Sequence, residues 1–445
     1  MAAPKDRRKL PLTPEARPTA VEVSAPYLRD TVTGATPFTV PALHLGAAAL
    51  FLLAGGICLA VVAPSLAAGL FPAPAIIATT HLFTLGVITV TIFGALAQIF
   101  PVAFGAPLAS ARAAFVAWAL MVAGIPLFVA GLWISLHPLR DVGLFTATAG
   151  FITAGINVAR TLPRATSRGP AWVAVGIALG FLALTIVLGM LLAANLQLGF
   201  IEGFRLRTLS VHLHLAILGW ALMMIIGIGH RLLPFFVVAE DVERPHTKWS
   251  LACMVPGTLL VGAGLTGGWS VITWAGLVLV EVALVLLFAQ AFLVLRSGRR
   301  KLDLALALVA AGLACLAIAA VLAPMVLMRV SGNLRLSVAY VTAGLLGVML
   351  FIAGVTNRIA PFMSWISRFR ARQGKERIPI VAELPSRPLA LAQVVTMPGG
   401  TLLLVTGILL GNVVVTRGGA VLFALGTALH AAQMAWVAWG RRHAA

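Results

Sequence analysis

Acidic side chains, cysteines and tyrosines are what this 445-residue chain is short of, and each shortage excludes something. Only 13 residues are Asp or Glu, and charged residues make up 10% of the whole, too few to hydrate the surface of a water-soluble protein. The three cysteines, Cys58, Cys253 and Cys315, stand in apolar stretches without CxxC spacing. That excludes a disulfide framework and a thiolate metal site and leaves them as core packing. No CxxCH motif occurs, so c-type heme attachment is excluded. The only tyrosines are Tyr27 and Tyr340.

What fills the chain instead is apolar: 60% of residues are hydrophobic and the mean hydropathy is +1.03. Twelve apolar segments are expected, at about 42–68, 74–103, 111–136, 142–160, 170–195, 208–238, 249–268, 271–295, 303–328, 335–363, 390–416 and 418–439. Each approaches the ~20 residues that span a bilayer, so the fold class is all-α integral membrane with a lipid bilayer as its partner. The net charge of +19 does not point to nucleic acid, because the Lys and Arg sit in short loops rather than on one face of a domain. With the N-terminus inside, 26 basic residues fall on the cytoplasmic side and six (Arg140, Arg205, Arg207, Arg329, Arg335 and Arg417) on the other. The positive-inside rule then sets both termini in the cytoplasm, with the protein in a bacterial-type inner membrane. Residues 1–40 read as a cytoplasmic tail, because no apolar signal core and cleavage site are seen in them. The loop 364–389 reads as a basic cytoplasmic connection.

The second, sixth and tenth segments share an internal repeat. From His81, Gly follows at +5 and +13 and Pro at +20 (Gly86, Gly94, Pro101), and from His214 the same spacing gives Gly219, Gly227 and Pro234. The tenth segment keeps Gly354 and Pro361 in register, but Val341 stands at its His position. The expected architecture is three four-helix units, about 41–160, 170–295 and 303–439, around a pseudo-threefold axis, each giving one repeat helix to the interior. The small residues would admit a neighbouring helix or a flat cofactor.

His81, His212 and His214 share one depth in the membrane on this topology, and imidazoles there are costly unless binding or pairing offsets them. Three at one level point to metal or heme ligation. Residues i and i+2 on a helix point about 200° apart, so His212 and His214 face two different clefts. If position 0 faces the next repeat and position −2 the previous one, His81 and His212 share a cleft as a bis-His b-type heme site. His214 then faces the tenth segment, where an open site would bind a small gas. The alternative pairs His81 with His214. Glu281, well inside the eighth segment, is the candidate for a proton-relay or metal-proximal role. Arg205 and Arg207 are candidates to pair with heme propionates. His430 is expected to pair with Gln433 on one helix face, and His137 and His246 are read as loop residues.

The stretch from His212-Leu-His214 through Leu233-Pro234 resembles the HxH-bearing helix of the heme-copper oxidase catalytic subunit, closest to the cbb-type oxidases and nitric oxide reductases. The stretch from His81 to Pro101 is similar to that family's second helix. The resemblance implies 12 helices, one or two b-type hemes near the outer face, a redox activity toward oxygen or nitric oxide, and an electron-donor subunit or a soluble cytochrome or cupredoxin as partner. The family carries its HxH on the tenth helix; here it lies on the sixth. The family's copper-site histidines have no counterpart in the seventh segment read from Trp249, so copper is implied only without its usual ligand set. A non-enzymatic nitric oxide-responsive heme or copper protein and a cofactor-free proton-coupled transporter are the rival expectations.

Overall fold

The computed structural model describes residues 37–201, 205–239, 245–299, 302–328 and 334–440. Residues 1–36 of the expected tail, and Arg329 of the outer basic set, lie outside them. Among the described residues there is no strand, and 12 helices are long and apolar enough to cross a membrane. They are α1 (Thr39–Ala67), α2 (Pro74–Ala103), α3 (Ala111–Trp133), α4 (His137–Arg164), α5 (Pro170–Leu198), α6 (Arg205–Val237), α7 (Pro245–Gly267), α8 (Ser270–Ser297), α9 (Leu304–Leu327), α10 (Arg335–Arg372), α11 (Arg387–Leu410) and α12 (Val413–Trp439). Large apolar side chains such as Leu50, Val285, Val321 and Leu402 stand exposed on their outward faces. Such a surface suits hydrocarbon and not water, which is the multi-pass membrane character expected.

Burial separates the helices into two classes. In their most apolar stretches α2, α6 and α10 are 72–78% buried, whereas the other nine are 28–50% buried. The three repeat-bearing helices are therefore the interior ones, and they touch one another. Each packs along the helix before it (α1 on α2, α5 on α6, α9 on α10), and each is followed by a tight hairpin (α3–α4, α7–α8, α11–α12).

The three hairpins are built on the same glycine contacts. Gly124, Gly257 and Gly400 abut the backbone of the residue 23 positions on (Ala147, Val280, Phe423). Gly143, Gly276 and Gly419 return the contact to the residue 15 positions back (Phe128, Val261, Leu404). Without a Cβ at these points the two helices approach closely enough for backbone packing, which association in lipid depends on. The same offsets, 133 and 143 residues, relate the buried amides Asn157, Gln290 and Gln433.

Several boundaries differ from expectation. α11 ends at Leu410, because Gly411 takes φ +66° as its cap and the Asn412 side chain accepts from Val415 N to start α12. The expected break six residues later was masked by Val413-Val414-Val415 carrying the apolar run across the turn. α10 runs on to Phe369 and a short 3₁₀ turn, which shortens the expected 364–389 loop from its N-terminal side. His137 and His246 open α4 and α7 and are not loop residues.

Candidate functional site

In α2 and α6 the repeat histidine is followed by the same departure from α-geometry. His81 ends an α-helical stretch and is succeeded by a π-helix over Leu82–Thr89; His214 does the same before a π-helix over Leu215–Leu222. π-Segments are rare and are found mostly where function compensates for poorer packing. α10, whose repeat position is Val341, is α-helical throughout Arg335–Phe369. Loss of the histidine and loss of the π-segment go together.

The repeat glycines at +5 do not cradle a flat group. A Cβ on Gly86 would lie 2.6 Å from Phe51 Cγ, and one on Gly219 would lie 2.5 Å from Phe181 Cγ. Each niche is filled by a phenyl ring from the preceding helix, so the helix-approach half of the expectation holds and the cofactor half is withdrawn. At +13, Gly94 receives His44 and Gly227 receives Ala174 in the same way.

His81 and His212 face each other. Their ring centres are 6.3 Å apart with planes 30° from parallel, and Phe128 meets the His81 ring edge-on at 5.2 Å. His81 Nδ1 donates to Ile77 O at 2.7 Å, and His212 Nδ1 donates to Thr185 O on α5 at 3.1 Å. A carbonyl only accepts, so Nδ1 carries the proton in each ring and Nε2 keeps the lone pair. Metal-ligating histidines are oriented by just this kind of N–H to carbonyl bond. Two imidazoles on opposite sides of one metal ion would stand about 6 Å apart centre to centre, from metal–nitrogen bonds of ~2 Å and about 1.1 Å from nitrogen to ring centre. Among the described residues no group of three or more His, Cys, Asp or Glu gathers to hold an ion unaided. Two opposed imidazoles would supply the two protein nitrogens of a bis-histidine heme, the other four being the heme's own. The donor set therefore fits that group.

His214 looks the other way. Its Nδ1 donates to Ser210 O at 2.7 Å, the same i−4 bond as His81 makes, and its Nε2 lies 3.2 Å from the Tyr340 hydroxyl on α10. The two rings are 6.0 Å apart, 26° from parallel. Sequence reasoning passed over Tyr340, which sits one residue before the vacant repeat position; its placement at −1 was the only signal. Glu281 on α8 has its Oε1 buried with no hydrogen-bond partner among the described residues. His81, His212, His214 and Tyr340 all fall within the first ten residues of their helices, at one end of the interior trio.

Arg205 and Arg207 are exposed at the start of α6, and the Arg207 guanidinium lies over the Gly268 turn between α7 and α8. His430 does not pair with Gln433: its Nδ1 accepts from Gln393 Nε2 at 2.8 Å and its Nε2 lies 3.4 Å from Thr356 Oγ1. Helix-face proximity pointed to Gln433, but the α11 partner reaches the ring first. His230 contacts Thr247 Oγ1 at 3.1 Å, far along α6 from the histidine cluster. No protein-family model matches this chain, and no curated protein is significantly similar to it in sequence.

Proposed function

We propose that the chain is a b-type heme protein of the membrane, with His81 on α2 and His212 on α6 as the residues that would hold the heme, acting in electron transfer or in oxygen or nitric oxide chemistry. The observation that carries this reading is the opposed pair itself: two rings 6.3 Å apart, each with Nδ1 tied to a carbonyl and Nε2 left as a donor. A heme bound there would supply a one-electron couple, tuned by its axial imidazoles and by burial. The chain's own part is to fix both imidazole tautomers through Ile77 and Thr185 and to keep the rings in an apolar surround. The heme-copper oxidase resemblance supports the same reading, with the HxH displaced from the tenth helix to the sixth.

The glycine contacts that recur at offsets of 133 and 143 residues support three four-helix units around a pseudo-threefold axis. The distribution of Lys and Arg supports cytoplasmic termini and a bacterial-type inner membrane. In the second cleft Tyr340 hydrogen-bonds the one nitrogen His214 has for a ligand. With that nitrogen occupied, a non-catalytic heme protein is favoured, as a second reading, over an oxidase that turns over. One N donor and one phenol are not a copper site of the usual histidine type, so copper is not proposed.

A visible spectrum and iron assay of the purified full-length protein test the proposal. A reduced low-spin b-type spectrum is expected. A colourless, iron-free protein from heme-replete cells would overturn it and return the transporter reading.

A further inference from the structure

The three interior helices line an apolar cleft on the side of the histidine level away from their N-termini. It has a volume of about 70 Å³, several times the ~10–15 Å³ one water-sized occupant needs. All three helices line it with the same repeat positions. Seven residues past the repeat position stand Ile88, Ala221 and Val348, and ten past it stand Thr91, Met224 and Phe351. The rungs at +11 and +14 repeat the pattern. At 1.5 Å per residue the first rung is about 10 Å along the helices from the ligand histidines. Ile88 and Ala221 belong to the two π-segments, so the irregular turns that follow the histidines also form one end of the cavity.

Fifteen of the 16 lining residues are apolar, and the exception is Thr91. Thr91 is 5% exposed, and its hydroxyl has no hydrogen-bond partner among the described residues. A buried water needs about three hydrogen bonds, and one hydroxyl cannot supply them. An ion or a strongly polar guest would lose its hydration and recover almost nothing. The lining suits a small uncharged guest that gains dispersion contact from all three helices and asks for at most one weak hydrogen bond.

We propose that this axial cavity binds a small apolar gas molecule, of the size of dioxygen, nitric oxide or xenon, with the Thr91 hydroxyl as its one polar contact. The site lies at the meeting of the three helices and not in either histidine cleft. It requires no heme and goes beyond the function proposed above.

Xenon is the probe. Crystals of the full-length protein pressurised with xenon should show one site bounded by Thr91, Ala221 and Val348, and ¹²⁹Xe NMR of the protein in nanodiscs should show saturable exchange. Ala221→Phe and Val348→Phe, which fill the first rung, should each weaken xenon binding at least tenfold, and isosteric Thr91→Val should change it less than twofold. Ordered water or lipid density in the cavity of the unmodified protein, or no saturable xenon binding, would overturn the proposal. So would an undiminished affinity in both filling variants. The two proposals fail separately: a colourless protein that binds xenon retires the heme and leaves the cavity standing.

Discussion

The Tyr340 hydroxyl on α10 lies 3.2 Å from Nε2 of His214 on α6, and a carbonyl at Ser210 holds the other nitrogen of that ring. Tyr340 thus takes, in the second cleft, the place His81 takes opposite His212 in the first. A histidine faces across each interface, but only one interface offers a second nitrogen. The two clefts are consequently unequal in chemistry although the helices that form them repeat.

If the His214–Tyr340 bond is a structural link, the two residues are energetically coupled. Tyr340→Phe should lower stability by about 1 kcal/mol, the usual net value of one hydrogen bond. His214→Ala should cost more, about 2–3 kcal/mol, because it also leaves the Tyr340 hydroxyl buried without a partner. The double variant should fall short of the sum by about 0.5–1.5 kcal/mol. Thermal unfolding of the four proteins in one detergent checks this; strict additivity would mean that the contact contributes nothing.

The three histidines should separate by spectrum. If the proposed heme is bound, His81→Ala and His212→Ala would each remove one of the two imidazoles holding it and should abolish the six-coordinate low-spin signal, with free imidazole restoring it at millimolar concentration. His214→Ala should leave that signal in place, since its ring faces the other interface. A His212→Ala protein that keeps a six-coordinate spectrum would show that His81 pairs with His214, and the assignment of the clefts would have to be exchanged.

Twelve helices were legible because lipid asks for long apolar runs, and the interior trio was legible because Gly and Pro recur at fixed distances from the histidines. The hairpin repeat was present too, as Gly124, Gly257 and Gly400, but 43 glycines hide such a spacing until contacts single it out. Tyr340 could not be read as a site residue, because its role depends on which faces of α6 and α10 meet. The π-segments left no mark either: Leu82–Thr89 and Leu215–Leu222 are as apolar as any α-helical stretch nearby. The end of α11 was missed because Val413-Val414-Val415 continues the apolar run past the Gly411-Asn412 turn.

Gly86 and Gly219 should respond alike to a methyl group, since each holds a phenyl ring of the preceding helix. Gly86→Ala forces a clash with Phe51, and Gly219→Ala forces one with Phe181. Overpacking of this kind costs about 1–3 kcal/mol. Phe51→Leu should rescue Gly86→Ala, and Phe181→Leu should rescue Gly219→Ala, while each Leu variant alone is destabilising. Melting temperatures of the singles and the matched doubles decide it. Rescue by the mismatched partner, Phe181→Leu for Gly86→Ala, would contradict the local packing described.

Asp303 makes two contacts at the start of α9, and their magnitudes predict which one matters. Its Oδ1 accepts from Leu306 N at 3.1 Å as a helix cap, and its Oδ2 lies 2.7 Å from Arg358 on α10. The Asp303 side chain is 46% exposed, so water screens the ion pair and its contribution is about 0–1 kcal/mol. The cap is worth about 1 kcal/mol, and asparagine caps as well as aspartate. Asp303→Asn should therefore lose only the pair, about 0–1 kcal/mol, whereas Asp303→Ala should lose the cap and the pair together, about 1–2 kcal/mol. Raising salt from low to high concentration should narrow the gap between wild type and Asp303→Asn and leave most of the Asp303→Ala loss in place. If the two variants are equally destabilised and salt abolishes both losses, the charge and not the cap holds α9 to α10.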